Sequence, residues 1–424
     1  MAPRTAEIIA VGSELLGATR ADTNSLYLSG RLSEIGIDLR IKSVVGDEPG
    51  DLATLLRQAL DRSDLIVLTG GLGPTDDDLT RDVVSEVLGL PMDVDEAIVA
   101  KIRARFERRG LVMPEVNRRQ ANVPRGAFVL DNPNGTAPGL LIDHAGASGR
   151  HIVILLPGPP RELQPMFERV CAGPLGERAG HERAYRTTLF ITGRGESHVE
   201  QAVQPIYSRW RDASPPISTT ILAAMGQIEL HLTVRETDDT RARAILDRAR
   251  DELMAVIAPD VYSIDGRVME EVVGDLLKAR GHTIAAAESC TGGLFTSRLT
   301  DVAGSSAYVR GGVVAYANED KTALLGVPAA LLAAHGAVSE PVAVAMAEGI
   351  RERTHADVTV GITGIAGPGG GTEAKPVGTV VIAVMVPGRP VYVRTYSFVG
   401  GRAMVKFQAT QAALDRVRRM LATD

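Results

Sequence analysis

Between Ala6 and Phe167 short apolar runs alternate with segments of helical period, and this alternation narrows the possible folds more than any other feature. Strands are expected at Glu7 to Val11, Leu39 to Val45, Leu65 to Leu68 and His151 to Leu156. Helices are expected at Ser25 to Ile35, Leu52 to Arg62, Thr80 to Leu88 and Asp95 to Arg109. Strands alternating with helices predict a three-layer α/β domain with a mostly parallel sheet, whose ligands bind beyond the strand C-termini.

The unusual residues fall at those strand ends. Gly12-Ser-Glu-Leu-Leu16, with Glu14, follows the first strand, and Gly46-Asp-Glu48, with Asp47, follows the second. The third is followed by Thr69-Gly-Gly-Leu-Gly-Pro-Thr-Asp-Asp-Asp-Leu-Thr80, which carries Gly70, Gly71, Gly73, Thr75 and Asp78. Glycines, hydroxyls and carboxylates at one sheet edge suit a phosphate or pyrophosphate held with a hard divalent cation. Alternatively, Asp76, Asp77 and Asp78 simply open the next helix, where acidic side chains favour the dipole.

A second constellation lies near the other end. Ala285-Ala-Ala-Glu-Ser-Cys-Thr-Gly-Gly-Leu294 puts Ser289 at a strand-to-helix turn, with a strand at His282 to Ala286 and a helix from Leu294 to Leu299. Helix-initial N–H groups lack internal partners and can stabilise an anion there, so Thr291, Gly292 and Gly293 are candidate oxyanion and substrate residues. Tyr316-Ala-Asn-Glu-Asp-Lys321 follows the strand Val313 to Ala315 and brings a phenol and an amine near a strand end. Gly361 to Thr379 leaves the strand Val358 to Ile362 as a glycine-rich loop, in which Thr363, Gly364, Gly367, Gly369, Gly370, Gly371 and Thr372 can face a phosphate. A free serine is a weak nucleophile and needs a base. His282, His335 and His355 sit in helix- or turn-like contexts, so Lys321, if desolvation lowers its pKa, or Tyr316 as a relay is the better candidate; the alternative for Lys321 is a surface lysine on the Asn318 to Leu325 helix.

A chain of 424 residues is too long for one ordinary core. No apolar run reaches bilayer length and the start lacks a signal-peptide core, so a cytoplasmic protein is expected. Cys171 and Cys290 cannot form a disulfide framework, and both read as packing residues. A net charge of −6 with 4% aromatic residues argues against direct nucleic-acid binding. The basic segment Lys101 to Arg109 with Arg118 and Arg119 reads as the solvated face of a helix. From Gly173 to about Asp265, strands at Leu189 to Thr192 and Gln227 to Val234 and helices at Glu196 to Tyr207 and Thr240 to Ile257 make a small α+β module with no catalytic constellation; Ala213 to Pro216 is a loop.

Ser289 with its two glycines, Tyr316 to Lys321 and Gly361 to Thr379 resemble the C-terminal domain of the CinA family (competence/damage-inducible protein A). Gly70-Gly-Leu-Gly-Pro-Thr75, Asp78-Leu-Thr80, Asp22-Thr-Asn-Ser25, Val112-Met-Pro-Glu115 and Asn134-Gly-Thr-Ala-Pro-Gly139, which includes Gly135 and Thr136, resemble that family's N-terminal domain, itself similar to molybdopterin-binding domains. The resemblance implies three parts: a three-layer α/β molybdopterin-binding-like domain over residues 1–170, a small α+β linker module over 171–265, and an α/β deamidase domain over 266–424. It implies hydrolysis of nicotinamide mononucleotide by the last domain, with Ser289 as nucleophile and no cofactor. It also implies hydrolysis of ADP-ribose by the first, with a divalent metal (Mg, Mn or Co) at Asp47 and Asp78. A homodimer is expected, with no membrane or direct nucleic-acid partner.

Overall fold

In the computed structural model, which describes residues 3–146, 149–178 and 182–422, the sheet of the N-terminal region draws on β1 (Thr5–Val11), β2 (Asp38–Val45) and β3 (Leu65–Thr69). The short β4 (Met92–Val94) and β5 (Asn122–Pro124) form a separate ribbon. Three more strands, β6 (Phe128–Leu130), β7 (Gly139–Gly146) and β8 (Gly149–Leu156), complete a six-stranded sheet in the order β2-β1-β3-β8-β7-β6. The first four of these are parallel, and β7 runs antiparallel to both of its neighbours.

Alternate residues of each central strand enter different cores. Ala6, Ile8, Leu65, Val67, Ile152 and Ile154 face one side, where α1 (Thr23–Glu34) supplies Leu28 and Leu32. Ile9, Val11, Ile66, Leu68, Val153 and Leu155 face the other, against α2 (Pro49–Arg62) and α3 (Thr80–Leu88). α4 (Glu96–Glu107) packs beside the ribbon, and α5 (Pro160–Ala172) joins α1 with Leu163, Phe167 and Val170. The three-layer expectation therefore holds. Sequence periodicity missed β6 and β7, because β7 offers only Leu140 to Ile142 as an apolar run and is recruited by antiparallel pairing with β8.

The chain packs as two compact units. One runs from the N-terminus through Tyr185 with Arg235–Ala242; the other holds Arg186–Val234 and everything from Arg243 onward. In this second unit β9 (Arg183–Ile191), β10 (Ile217–Ala224), β11 (Gln227–Glu236) and β12 (Val261–Ser263) pair in the order β10-β11-β9-β12, with the ends of β9 and β11 crossing the division. α6 (Glu196–Tyr207) and α7 (Asp239–Ile257) accompany this sheet. The expected middle module thus packs largely as part of the second unit.

A five-stranded sheet follows: β13 (Ile284–Glu288), β14 (Val309–Val314), β15 (Val358–Gly364), β16 (Thr379–Met385) and β17 (Tyr392–Ser397), in the order β14-β13-β15-β16-β17. β13 is parallel to both neighbours, and β16 and β17 are antiparallel additions. One face packs on α8 (Met269–Arg280) and α9 (Leu294–Thr300). The other packs on α10 (Asn318–Leu325) and α12 (Glu340–Thr354), with α11 (Ala329–His335) between them in sequence. The closing helix α13 (Arg402–Ala422) lies on the α8 side and contributes Val405, Ala409, Ala413 and Leu414 to its core. Chain leaving β13 goes to the edge strand β14, whereas chain leaving β15 goes to β16 on the other side. The carboxyl ends of β13 and β15 therefore flank a topological switch point. β13 starts two residues later than its expected position because Gly281, with φ 64, caps α8 and holds His282 in the turn.

Among the described residues no helix is long and apolar enough to cross a membrane. The basic segment is solvated as expected, with Lys101 on Asp131, Arg118 on Glu96 and Arg119 on Asp82.

Candidate functional site

Ser289 stands one residue beyond β13, anchored by its own N–H donating to Ile362 O of β15 at 2.9 Å. The turn that follows needs its glycines: Gly292 (φ 61) and Gly293 (φ 89) both occupy the left-handed region. Gly292 N donates to Ser289 O at 3.0 Å, so that N–H is already used within the turn. Phe295 N and Thr296 N donate to the buried Glu288 carboxylate at 3.0 and 2.9 Å, and Thr296 Oγ1 donates to it at 2.8 Å. This corrects the expectation that the first N–H groups of α9 and Gly292 are open to an anion: Glu288 caps the helix and shapes the turn. Among the described residues Thr291 N and Gly293 N have no protein acceptor, and these remain as candidate oxyanion donors. Cys290 is core, its thiol pushed up to about 12, chiefly by burial.

Lys321 is 1% exposed, which rules out the surface-lysine alternative. α10 carries it back under the strand ends, where Nζ lies 3.2 Å from Ser289 Oγ, 3.0 Å from Ala315 O and 3.1 Å from Tyr316 O. A neutral amine has two N–H donors and one lone pair. The ammonium form donates to all three partners; once the amine is neutral, the two carbonyls, which can only accept, take its two hydrogens and leave the lone pair for the serine hydroxyl. Desolvation lowers the pKa of this amine, against the opposing pull of Cys290, Asp320 and Glu319.

Tyr316 meets this pair through its carbonyl, while its half-exposed phenol accepts from Arg402 Nη2 at 2.7 Å. No hydrogen bond joins that phenol to Ser289 or Lys321, so the relay expected of Tyr316 has no direct path. Arg402 Nη1 also donates to Gly367 O at 2.9 Å, tying the tyrosine to the glycine-rich loop. In that loop Gly367 (φ 83) and Gly370 (φ 86) are left-handed, and no protein acceptor among the described residues takes Gly369 N, Gly370 N or Gly371 N. Thr363 Oγ1 donates to Ala337 O, Thr372 Oγ1 accepts from Lys375 N, and a Cβ at Gly364 would press on Thr379 O. These three have structural duties at the loop's ends. Sequence reasoning missed Arg402 and Lys406. Lys406 Nζ lies 3.5 Å from where a Gly292 Cβ would stand, so α13 brings cations to the turn from its N-terminal end, against the helix dipole. The signal was a basic residue directly after Gly400-Gly401.

The N-terminal loops enclose a cavity of about 680 Å³ whose lining includes Gly12, Glu14, Asp47, Gly70, Asp78 and Thr136. Asp47 Oδ2 accepts from Ser13 N at 2.9 Å, linking the first two loops. Asp78 folds the third: its Oδ1 accepts from Gly73 N at 2.6 Å and its Oδ2 from Thr75 N and Oγ1 at 2.9 and 2.6 Å. Gly71 (φ 64) is sterically required, since a Cβ there would strike Thr80 Oγ1; a Cβ at Gly73 or Gly135 would displace the carboxylate of Asp78 or Glu162. Arg20, Asn24, Gln120 and Glu162 also line the cavity and were missed, although Pro157-Gly-Pro-Pro160 after β8 obeys the same loop-after-strand rule. Gly70 (φ 94) would place a Cβ against Val11 O, so Gly70→Ala is expected to cost about 3 kcal/mol. Denaturant titration checks this; an unchanged midpoint would mean the two strand ends are not locked as described.

Two α/β units in one chain, one holding a serine and a buried lysine at a switch point and the other a glycine- and carboxylate-lined cavity, define a two-site α/β protein. Residues 267–421 match the family model described as CinA C-terminal domain, and residues 7–176 match one described as Probable molybdopterin binding domain. The chain is 46% identical over 419 residues to a CinA-like protein of Koribacter versatilis, covering 98% of this chain and 99% of that one. It is 44% identical over 420 residues to a CinA-like protein of Acidobacterium capsulatum, again covering 98% and 99%. The solved competence/damage inducible protein CihA of Agrobacterium tumefaciens is 37% identical, covers 37% of this chain and 94% of its own, and has a TM-score of 0.36. The chain belongs to the CinA family.

Proposed function

We propose that the second unit hydrolyses the carboxamide of nicotinamide mononucleotide to the carboxylate and ammonia. The observation that carries this reading is the buried Lys321 Nζ within hydrogen-bond distance of Ser289 Oγ, 3.2 Å away. Ser289 Oγ attacks the amide carbon as its proton passes to Lys321, and Thr291 N and Gly293 N receive the developing oxyanion. The tetrahedral adduct collapses as Lys321 returns the proton to the amide nitrogen, and ammonia departs. Water then attacks the acyl ester with Lys321 as base, restoring Ser289 and releasing nicotinic acid mononucleotide. The glycine loop, Arg402 and Lys406 suit the phosphate of the substrate.

The N-terminal cavity is read as an ADP-ribose diphosphatase site, consistent with its glycine loops and carboxylates. The family implies a divalent cation here. Among the described residues no three His, Cys, Asp or Glu side chains converge as a preformed cage. Oxygen donors at Asp47 and Asp78 nonetheless fit a small hard ion that a substrate carries on its own phosphates, since such ions take only one or two carboxylates from the protein. Bound there, the ion would neutralise pyrophosphate charge. This chain's own residues order the loops: Asp47 clamps Ser13, and Asp78 clamps Gly73 and Thr75. Chelation is therefore expected to abolish formation of AMP and ribose 5-phosphate from ADP-ribose while ammonia release continues in the same tube. Equal loss of both reactions would contradict the division, and tight binding of molybdopterin without ADP-ribose turnover would make the first unit a pterin-binding module.

A further inference from the structure

The second unit contains another cavity, of about 730 Å³, lined by the β9–α6 loop, the β10–β11 turn, β17 and α13. Ligand pockets typically span about 300–1,000 Å³. Its most telling residue is Gln411, which is 1% exposed. Gln411 Oε1 accepts from Arg298 Nη2 at 2.6 Å. Because arginine only donates, this bond fixes which way the amide points, and Nε2 is left with no partner. Arg416 Nε, also lining the cavity, is buried and unpartnered as well. Buried donors without acceptors are costly and require an explanation.

The charges around them are unevenly satisfied. Arg194 and Arg419 are paired with Asp260, and Arg419 also with Asp415. Arg416 instead lies 3.8 Å over the Tyr392 ring and Arg394 lies 5.2 Å over the Tyr396 ring. Among the described residues neither of these two has a carboxylate partner. The twelve-residue helix α6 starts at the same cavity with no side chain capping its first N–H groups. Two arginines, an amide and a helix start thus border the cavity, while Glu196 is a lining carboxylate with no ion-pair partner among the described residues.

We infer that this cavity is a binding site for a sugar phosphate, free or within a nucleotide, distinct from both sites above. Phosphate oxygens accept from Gln411 Nε2, Arg416 and the α6 N–H groups, and sugar hydroxyls donate to Glu196. Hydrogen–deuterium exchange on the full chain, with millimolar ribose 5-phosphate, AMP or inorganic phosphate in separate arms, tests it. Ribose 5-phosphate or AMP should protect residues 192–199 and 392–398, and the stronger of the two identifies the source. Gln411→Glu keeps the acceptor for Arg298 but opposes an anion, and Arg416→Gln removes the charge. Each should weaken the ligand roughly tenfold to a hundredfold with circular dichroism unchanged. Protection that survives in both folded variants, absence of protection by any ligand, or inorganic phosphate equalling the sugar phosphates would overturn the assignment.

Discussion

Ser289→Ala is expected to lower ammonia release from nicotinamide mononucleotide by about 10⁴-fold or more, with the melting temperature little changed, because a covalent nucleophile acts as a unit with its base. Ser289 is 7% exposed, and among the described residues the one side-chain partner of its hydroxyl is Lys321, so removing the hydroxyl leaves the turn intact. Ser289 N still donates to Ile362 O, and Glu288 still caps α9 through Phe295 and Thr296. The loss should therefore fall on turnover, with substrate affinity retained. A variant keeping more than roughly a tenth of wild-type turnover would sink the nucleophile assignment.

The second large effect concerns the base. Lys321→Met retains the length of the side chain but removes the amine, and turnover should fall by about 10²–10⁴-fold. The carbonyls of Ala315 and Tyr316 lose their donor at the same time, which costs about 1–3 kcal/mol for each group left unsatisfied. A melt separates that loss from the catalytic one. The pH profile distinguishes a base from a prop. In the wild type, activity rises with pH as Lys321 loses its proton, and the limb lies below the ordinary lysine value of 10.5 because desolvation lowers the amine's pKa. In Lys321→Met that limb should vanish. The sign for stability follows from proton counting: between the lowered folded pKa and 10.5 the unfolded chain binds more protons, so this group's contribution to stability grows as pH rises through that window. An unchanged ascending limb in the variant would assign the base elsewhere.

What the sequence could and could not disclose follows from which interactions are local. α3, α6 and α10 begin and end where their periodicity and flanking residues put them. Ser289 and Lys321 were legible as candidates because each closely follows a strand, although their meeting depends on α10 folding Lys321 under β13 and β14, which no local pattern encodes. Glu288 captures two α9 amides and so closes part of the expected oxyanion hole, which depends on side-chain direction that no local pattern encodes. Arg402 and Lys406 lie on a helix about a hundred residues beyond Ser289 in sequence and reach the site only through packing of α13 on α9. β6, β7, β10 and β12 escaped because short or partly polar strands, three of them at sheet edges, take their conformation from the neighbours they pair with.

The most direct measurement is to incubate the purified full chain with nicotinamide mononucleotide in the presence of chelator and quantify both products. The Ser289–Lys321 account predicts ammonia and nicotinic acid mononucleotide in equal amounts, and no ammonia from a folded wild-type chain would contradict it.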